Sequence, residues 1–527
     1  MAAHDLRGRL MVMRTLYRDA VVCSPADPAA TALLVDGQRL AWIGDGRDAP
    51  PADAVVECGG RAITAAFVDA HVHTTDTGLA LLGLDLTGVG SAGEILAMVE
   101  RHSVGLASDA VVLGHGWDES GWEHPLPPSA AALDRAAGGR AVYLSRVDAH
   151  SAVASTALLA AVPAAVAGDG YDPTGWLRHD AHHSVRVVAL GSVGPHQRRQ
   201  AQIAALRRAA SLGIAAVHEC GGPDISDEDD FAQLLALARE DGFPQVFGLW
   251  GELGAAQLAR ELGAIGAAGD LFADGALGSR TALLRTPYAD DPGRGHGYFS
   301  VREVAEHVVD CVRVGVQAGF HAIGDGALET VLAGFAEAAG VVGRERLRAG
   351  RHRIEHAELL DRAMIASMVD FGLVASVQPA FDRLWGGERG MYAARLGRDR
   401  ALAANPFAAL VGVGVTLAFG SDSPVTSMDP WGSVLAAVRH HHPMQRLGLR
   451  AAFAAHTRGG WWAVGRDDEG VLLPGSAATF AVWDCPGGVE GGLPRLVARE
   501  PDEPDPAVPV CRRTVSRGLV IFDDFRQ

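Results

Sequence analysis

Between residues 15 and 60 apolar and polar positions alternate over short runs. Ala32-Leu33-Leu34-Val35 and Leu40-Ala41-Trp42-Ile43 flank an Asp36-Gly37 step, a pairing that favours a tight hairpin turn. This alternation predicts a small antiparallel β module. Thr479-Phe480-Ala481-Val482-Trp483 and Leu519-Val520-Ile521-Phe522 have the same texture near the other end of the chain. The two ends are therefore expected to build one small β-sandwich, from residues 1–63 and 465–527.

Between them the pattern changes to alternating helix and strand signals. Ser226 is the expected cap of a helix whose Phe231, Leu234, Leu235 and Ala238 share one face. Ser300 and Glu303 form a capping box before Val304, Val308 and Val312. Asp361 is expected to start a helix that stops near Gly372. Strand signals fall at 67–73, 214–218, 245–249, 271–273, 316–321, 352–356, 374–377 and 415–419. Eight strands interleaved with helices predict an α/β fold, a (β/α)8 TIM-like barrel over residues 64–464. Residues 75–208 exceed the barrel count. They carry two further strand-like runs, 111–113 and 142–144, and are expected to form an insertion after the first strand. Trp117, Asp118, Trp122 and His150 suit it to a lid that shapes a substrate pocket, with Trp117 as a substrate-binding residue.

The polar residues that interrupt these apolar strands define the candidate chemistry. In Phe67-Val68-Asp69-Ala70-His71-Val72-His73 two imidazoles lie on one side of a strand, because side chains alternate. His321, His356 and Asp422 end three other predicted strands, and barrel active sites lie at that end. Five such side chains converging on one mouth predict a divalent metal site, with zinc the preferred ion and iron or manganese compatible. A bound ion lowers the pKa of water from about 15.7 to about 7 and polarises a carbonyl oxygen. Asp422 would carry a proton from the attacking water to the leaving nitrogen, as general base and then acid.

Composition narrows the partners. A net charge of −17 argues against non-specific nucleic-acid binding and against an anionic membrane surface. No apolar run is long enough to span a bilayer, and residues 1–10 lack the charged-then-apolar pattern of a secretory leader. Six scattered cysteines without close pairs read as reduced thiols of a cytoplasmic protein. The expected partner is a small-molecule substrate, and a homodimer would be an ordinary assembly. All 46 basic side chains counted as lysine plus arginine are arginine.

The five residues in their contexts resemble the metal-dependent amidohydrolase superfamily, and within it the YtcJ-like branch that includes N-substituted formamide deformylases. The resemblance runs from about residue 16 to 522. It is carried by the His71/His73 stretch, Phe272-Ala273-Asp274-Gly275-Ala276-Leu277-Gly278-Ser279-Arg280, His321-Ala322-Ile323-Gly324-Asp325, Ile354-Glu355-His356-Ala357 and Gly420-Ser421-Asp422-Ser423-Pro424. It implies that His71, His73, His321 and His356 are metal-associated and that Asp422 is catalytic. The expected reaction is hydrolysis of an amide or formamide carbon–nitrogen bond. The alternatives are an ester or lactone hydrolase, a deaminase, or an inactive ligand-binding relative.

The branch commonly uses a carboxylated lysine on the fourth strand to bridge two ions. Asp270 aligns there in this chain, and arginine cannot replace the lysine because its guanidinium stays protonated. An aspartate is expected to be too short to span two ions. One ion is therefore favoured, held by His71, His73, His321 and Asp422, with His356 donating to water or the substrate oxygen. Glu219 or Asp274 as a bridge is the competing arrangement.

Other polar residues carry two readings or a structural one. Arg280 could bind a substrate carboxylate or carbonyl, or order its loop through an ion pair. His218 could line the pocket or belong to the core. Asp69 could accept a hydrogen bond behind His71. His440-His441-His442 reads as solvated surface, and His352 and His456 as structural.

Overall fold

The computed structural model describes residues 13–146, 151–223, 225–496 and 508–525. His150 and the first 12 residues lie outside the described residues. The chain divides into two compact units, Met1–His73 with Leu206–Gln527, and Thr74–Ala205.

The first unit contains an eight-stranded parallel sheet. Its strands, in chain order, are Phe67–Val72, Ile214–Gly221, Gln245–Trp250, Gly266–Ala267, Gln317–Ala322, Arg353–His356, Val374–Val377 and Thr416–Phe419. Each pairs with the next, and the circle closes at the mouth. There the Asp422 amide donates to the His71 carbonyl (2.8 Å) and the His73 amide to that of Ser423 (3.0 Å). Apart from the half-buried starts of Gln245–Trp250 and Thr416–Phe419, the strands are buried because helices cover their outer face, which explains their continuous apolar runs.

The fourth strand falls earlier than the sequence suggests. Gly266-Ala267 offers only small side chains, so the apolar signal moves to 271–273. Those residues flank His321 through single hydrogen bonds: His321 donates its amide to Leu271 (3.0 Å), and Ala273 donates to His321 (2.9 Å). The Ser300/Glu303 capping box is present, and Asp361 caps the helix Arg362–Phe371, which ends on a left-handed Gly372. Asp227, not Ser226, caps Glu228–Leu237: its carboxylate accepts from the Asp230 amide at 2.7 Å.

Strands from both chain ends join in one seven-stranded sheet, ordered Leu519–Asp523, Val510–Ser516, Phe480–Asp484, Ala54–Ala65, Arg14–Val22, Ala32–Asp36 and Arg39–Gly44. Tyr17, Leu33, Ile63, Phe480, Val482 and Val515 share its core. The second unit has its own five-stranded sheet, ordered Trp176–Arg178, Ser151–Ala154, Val142–Arg146, Val112–Trp117 and Leu84–Asp85. Its core includes Trp117, Leu133, Leu144 and Val153. The six cysteines are free, and no described helix is long and apolar enough to cross a membrane.

Candidate metal centre

Four imidazoles and two carboxylates meet at the C-terminal ends of the barrel strands. His71 lies within the first strand and His73 just beyond it, with ring centroids 5.4 Å apart. His321 in the fifth strand and His356 at the end of the sixth have centroids 4.4 Å apart, and His356 is 5.0 Å from His71. Asp270 and Asp422 follow the fourth and eighth strands, and all six side chains are buried.

Strand alternation alone would not bring these groups together. Glu355 and His356 are neighbours and should face opposite ways. His356 (φ 68°) and Ala357 (φ 49°) instead adopt left-handed backbone, as does Asp422 (φ 55°). For residues other than glycine that conformation costs about 1–3 kcal/mol each, and it concentrates at functional sites.

Among the described residues the donor atoms form three groups; one is His71, Cys220 and Glu355, and the other two, made of imidazoles and aspartates, have one member in common. His71 Nε2, His73 Nε2, Asp422 and Asp270 make the first of these two, and His321, His356 and Asp270 the second. In the first, Asp422 Oδ1 lies 3.4 Å from His71 Nε2 and 3.1 Å from His73 Nε2. Asp270 Oδ1 is 3.4 Å from His71 Nε2, and its Oδ2 is 3.2 Å from His73 Nε2. In the second, Asp270 Oδ1 is 3.6 Å from His321 Nδ1 and 3.8 Å from His356 Nε2.

The far nitrogen of every ring faces an acceptor. His71 Nδ1 is 2.9 Å from Glu355 Oε2, His73 Nδ1 2.9 Å from the Cys220 carbonyl, His321 Nε2 3.2 Å from the Gly275 carbonyl and His356 Nδ1 2.8 Å from Gln378 Oε1. A proton donated at each of these atoms leaves a lone pair on the nitrogen facing the carboxylates, which is how metal-bound histidines are oriented. His71 Nε2, His321 Nδ1 and Asp270 Oδ1 are buried without a hydrogen-bond partner in the protein. Burying them so is unfavourable unless they bind something else, and a divalent cation fits this donor set.

The electrostatics agree. Burial works against charged His71 and His73, yet Cys220, Asp270 and Asp422 around His71, and the Asp270 and Asp422 carboxylates around His73, hold both imidazoles well above the usual histidine range. Burial would raise the two carboxyls, but the imidazoles around them hold Asp270 well below the carboxylate range and lower Asp422 as well. The pocket favours two anions with positive charge between them.

Behind His71 lies a buried network that sequence reading missed. Arg353 donates to both Glu355 oxygens (2.5 and 3.0 Å), to the Ala70 carbonyl (2.6 Å) and to Ser376 Oγ (2.8 Å). The available signal was a charged pair two residues apart in the otherwise apolar run Arg353-Ile354-Glu355. Asp69, expected behind His71, accepts from the His71 backbone amide at 3.4 Å and from the Ser421 amide at 2.8 Å, and not from the His71 ring.

Other expectations divide. Asp270 reaches both donor groups, despite its short side chain. His356 donates toward Gln378 through Nδ1 and so presents an acceptor at Nε2; its surroundings favour a ligand over a hydrogen-bond donor. Glu219 is buried but belongs to neither group. Asp274 accepts from the amides of Leu283 (2.8 Å), Ile323 (3.0 Å) and Gly324 (2.8 Å), a structural use of its carboxylate.

Arg280 pairs with Asp290 (2.9 Å) at the surface and orders its loop. Trp117 is fully buried in the second unit, where its indole N–H donates to the Leu144 carbonyl (3.0 Å); no face is left for a substrate. His218 is buried, and its Nδ1 accepts from Arg353 at 3.1 Å. The 440–442 run is not wholly surface: His440 is buried, and His441 contacts Asp382 at 3.1 Å.

Comparison with known proteins gives consistent matches. The amidohydrolase family profile matches residues 54–522. The chain is 28% identical over 415 residues to the putative amidohydrolase YtcJ of Bacillus subtilis, covering 74% of this chain and 75% of that protein. It is 23% identical over 513 residues to the N-substituted formamide deformylase of Arthrobacter pascens, covering 86% and 90%. Among solved structures, an uncharacterized metal-dependent hydrolase from Pyrococcus furiosus superposes with a TM-score of 0.75 at 25% identity, over 89% of this chain and 98% of that one.

Proposed function

The chain belongs to the amidohydrolase family, and on that premise we propose that it hydrolyses an amide or formamide bond with a water activated between Asp422 and the four imidazoles. Metal-dependent hydrolysis of carbon–nitrogen bonds is the family's general chemistry. The amide or formamide preference is our reading, supported by the likeness to a formamide deformylase.

His71, His73, Asp422, Asp270, His321 and His356 would hold the metal, with zinc suited to imidazole and carboxylate donors. A divalent ion there supplies Lewis acidity for the carbonyl and a lowered pKa for water. The protein's residues do the rest. Asp422 is pinned by its amide to the first strand, so its Oδ1 stays within 3.1–3.4 Å of the His73 and His71 nitrogens. From there it removes a proton from the attacking water and returns it to the departing nitrogen. Glu355 and Gln378 keep the rings of His71 and His356 in one tautomer. Burial of all six side chains limits bulk water and strengthens each electrostatic contact.

The observation carrying this reading is the set of buried, unpartnered atoms His71 Nε2, His321 Nδ1 and Asp270 Oδ1 facing one another. The test is turnover of a panel of N-formyl and N-acyl amines, with matched esters, by the zinc-loaded protein. Release of amine, abolished by His71→Ala, supports it. Turnover of esters alone, or no turnover with zinc bound, overturns it.

A further inference from the structure

We propose that Asp270 is a carboxylate shared between two metal ions, so that this chain builds a two-ion centre without a carboxylated lysine. The inference rests on reading the cluster as a metal site, and it concerns how many ions bind and what joins them.

Two facts frame it. The chain has no lysine, so a bridging lysine carbamate cannot form on any residue. At the mouth the imidazoles and aspartates nevertheless fall into two groups rather than one, and among the described residues Asp270 is the member common to both; His71 belongs also to a third group, with Cys220 and Glu355. Donors about 2.0–2.1 Å from one tetrahedral ion should lie roughly 3.3 Å apart. His71 and His73 meet that spacing with both Asp422 and Asp270, at 3.1–3.4 Å. His321 and His356 stand 3.6 and 3.8 Å from Asp270 Oδ1, the spacing of a more open angle at a second ion.

The backbone explains how a short side chain reaches so far. The fourth strand ends at Ala267, and Gly269 (φ 83°) lies against the Cys220 side chain and Leu249 Cβ, where an added Cβ would come within 3.2 Å. That close approach carries the chain across the neighbouring strands and places Asp270 among the rings. Asp270 Oδ1, buried without a hydrogen-bond partner, is the oxygen nearest His71, His321 and His356 together. A carboxylate has two oxygens and about four lone-pair sites, enough for two cations. Two ions about 3.5–4 Å apart would clamp the attacking and leaving groups from both sides.

The test counts ions. Protein stripped with chelator and dialysed against manganese(II) chloride in carbon-dioxide-free buffer should bind two ions per chain by elemental analysis. Added bicarbonate should change nothing, and the manganese resonance should show magnetic coupling between the ions. Asp270→Asn should bind no more than one ion and lose that coupling. His356→Asn, which leaves Asp270 in place, should also bind one, and serves if Asp270→Asn fails to fold. One ion at saturation in the unaltered protein, a second ion that requires bicarbonate, or two ions retained by the folded Asp270→Asn variant would overturn the shared carboxylate. Zero bound ions in the unaltered protein would overturn the metal-site reading as well.

Discussion

Arg353 and Glu355 stand two residues apart on one strand and form a two-point ion pair, 2.5 and 3.0 Å, with both side chains fully buried. The pair keeps Glu355 anionic where burial alone would protonate it, with its pKa pushed far below the carboxylate range by Arg353 and His71. The anion in turn, 2.9 Å from His71 Nδ1, favours a proton there, so Arg353 bears on the candidate metal centre through Glu355 and His71.

Glu355→Gln should therefore weaken metal binding about 10–100-fold, the usual effect of removing a hydrogen-bond partner behind a ligand. Competition with a chromophoric chelator measures it. Arg353→Met should do more: it leaves a buried carboxylate unpaired, which costs about 3–5 kcal/mol. Arg353→Lys should recover only part, because one ammonium cannot serve Glu355, Ala70, Ser376 and His218 at once. Wild-type metal affinity and denaturation midpoint in both Glu355→Gln and Arg353→Met would show the pair to be passive.

Asp422→Asn keeps the shape of the side chain but cannot carry a proton. Turnover per bound ion should fall about 10²–10⁴-fold, the range for one general acid–base group. Dividing by metal content separates this role from ligation, since Asp422 also faces both His71 and His73. Equal rates per ion in variant and parent would remove Asp422 from proton transfer.

Much of the fold was legible because buried parallel strands rich in branched residues announce themselves, as Val374–Val377 does. Gly266–Ala267 was not, since its strand is held by backbone pairing with neighbours and not by side-chain bulk. The insertion offered two strand runs, but its three other strands are two to four residues long and depend on tertiary pairing. The candidate ligands His71, His73, His321, His356 and Asp422 were visible as polar residues ending apolar runs. Asp270's reach was not, because it depends on where the chain turns after a strand too short to leave a pattern. Trp117 misled for a related reason: aromatic content suits a lid and a core equally, and here the core took it.

Asp274 separates the two candidate bridges. Its carboxylate satisfies three backbone amides, from Leu283, Ile323 and Gly324. Asp274→Ala leaves them buried and unpaired, so stability should drop by about 3 kcal/mol or more. The number of ions bound per folded chain should stay the same. Urea unfolding with parallel metal analysis reads both. Loss of one ion with unchanged stability would transfer the bridging role from Asp270 to Asp274.

Acid stability should be governed in part by imidazoles outside the candidate donor groups. His456 and His352 are buried, and desolvation holds both near pKa 4. His456 Nδ1 lies 2.9 Å from the Val68 carbonyl and His352 Nδ1 accepts from the Ala318 amide at 2.8 Å, so each works as a neutral ring. In the unfolded chain they titrate near 6.5. Between about pH 6.5 and 4 the unfolded state therefore binds protons that the folded state refuses. Stability is full above pH 6.5 and falls as the pH drops through that window, by about 3 kcal/mol per ring at its lower end. His456→Asn retains an N–H group for the Val68 carbonyl but removes the titration. Its urea midpoint should decline less steeply than the parent's between pH 6.5 and 4, with the two curves drawing together as the pH falls. Parallel curves over that range would mean that His456 is as easily protonated folded as unfolded, and that acid sensitivity arises elsewhere.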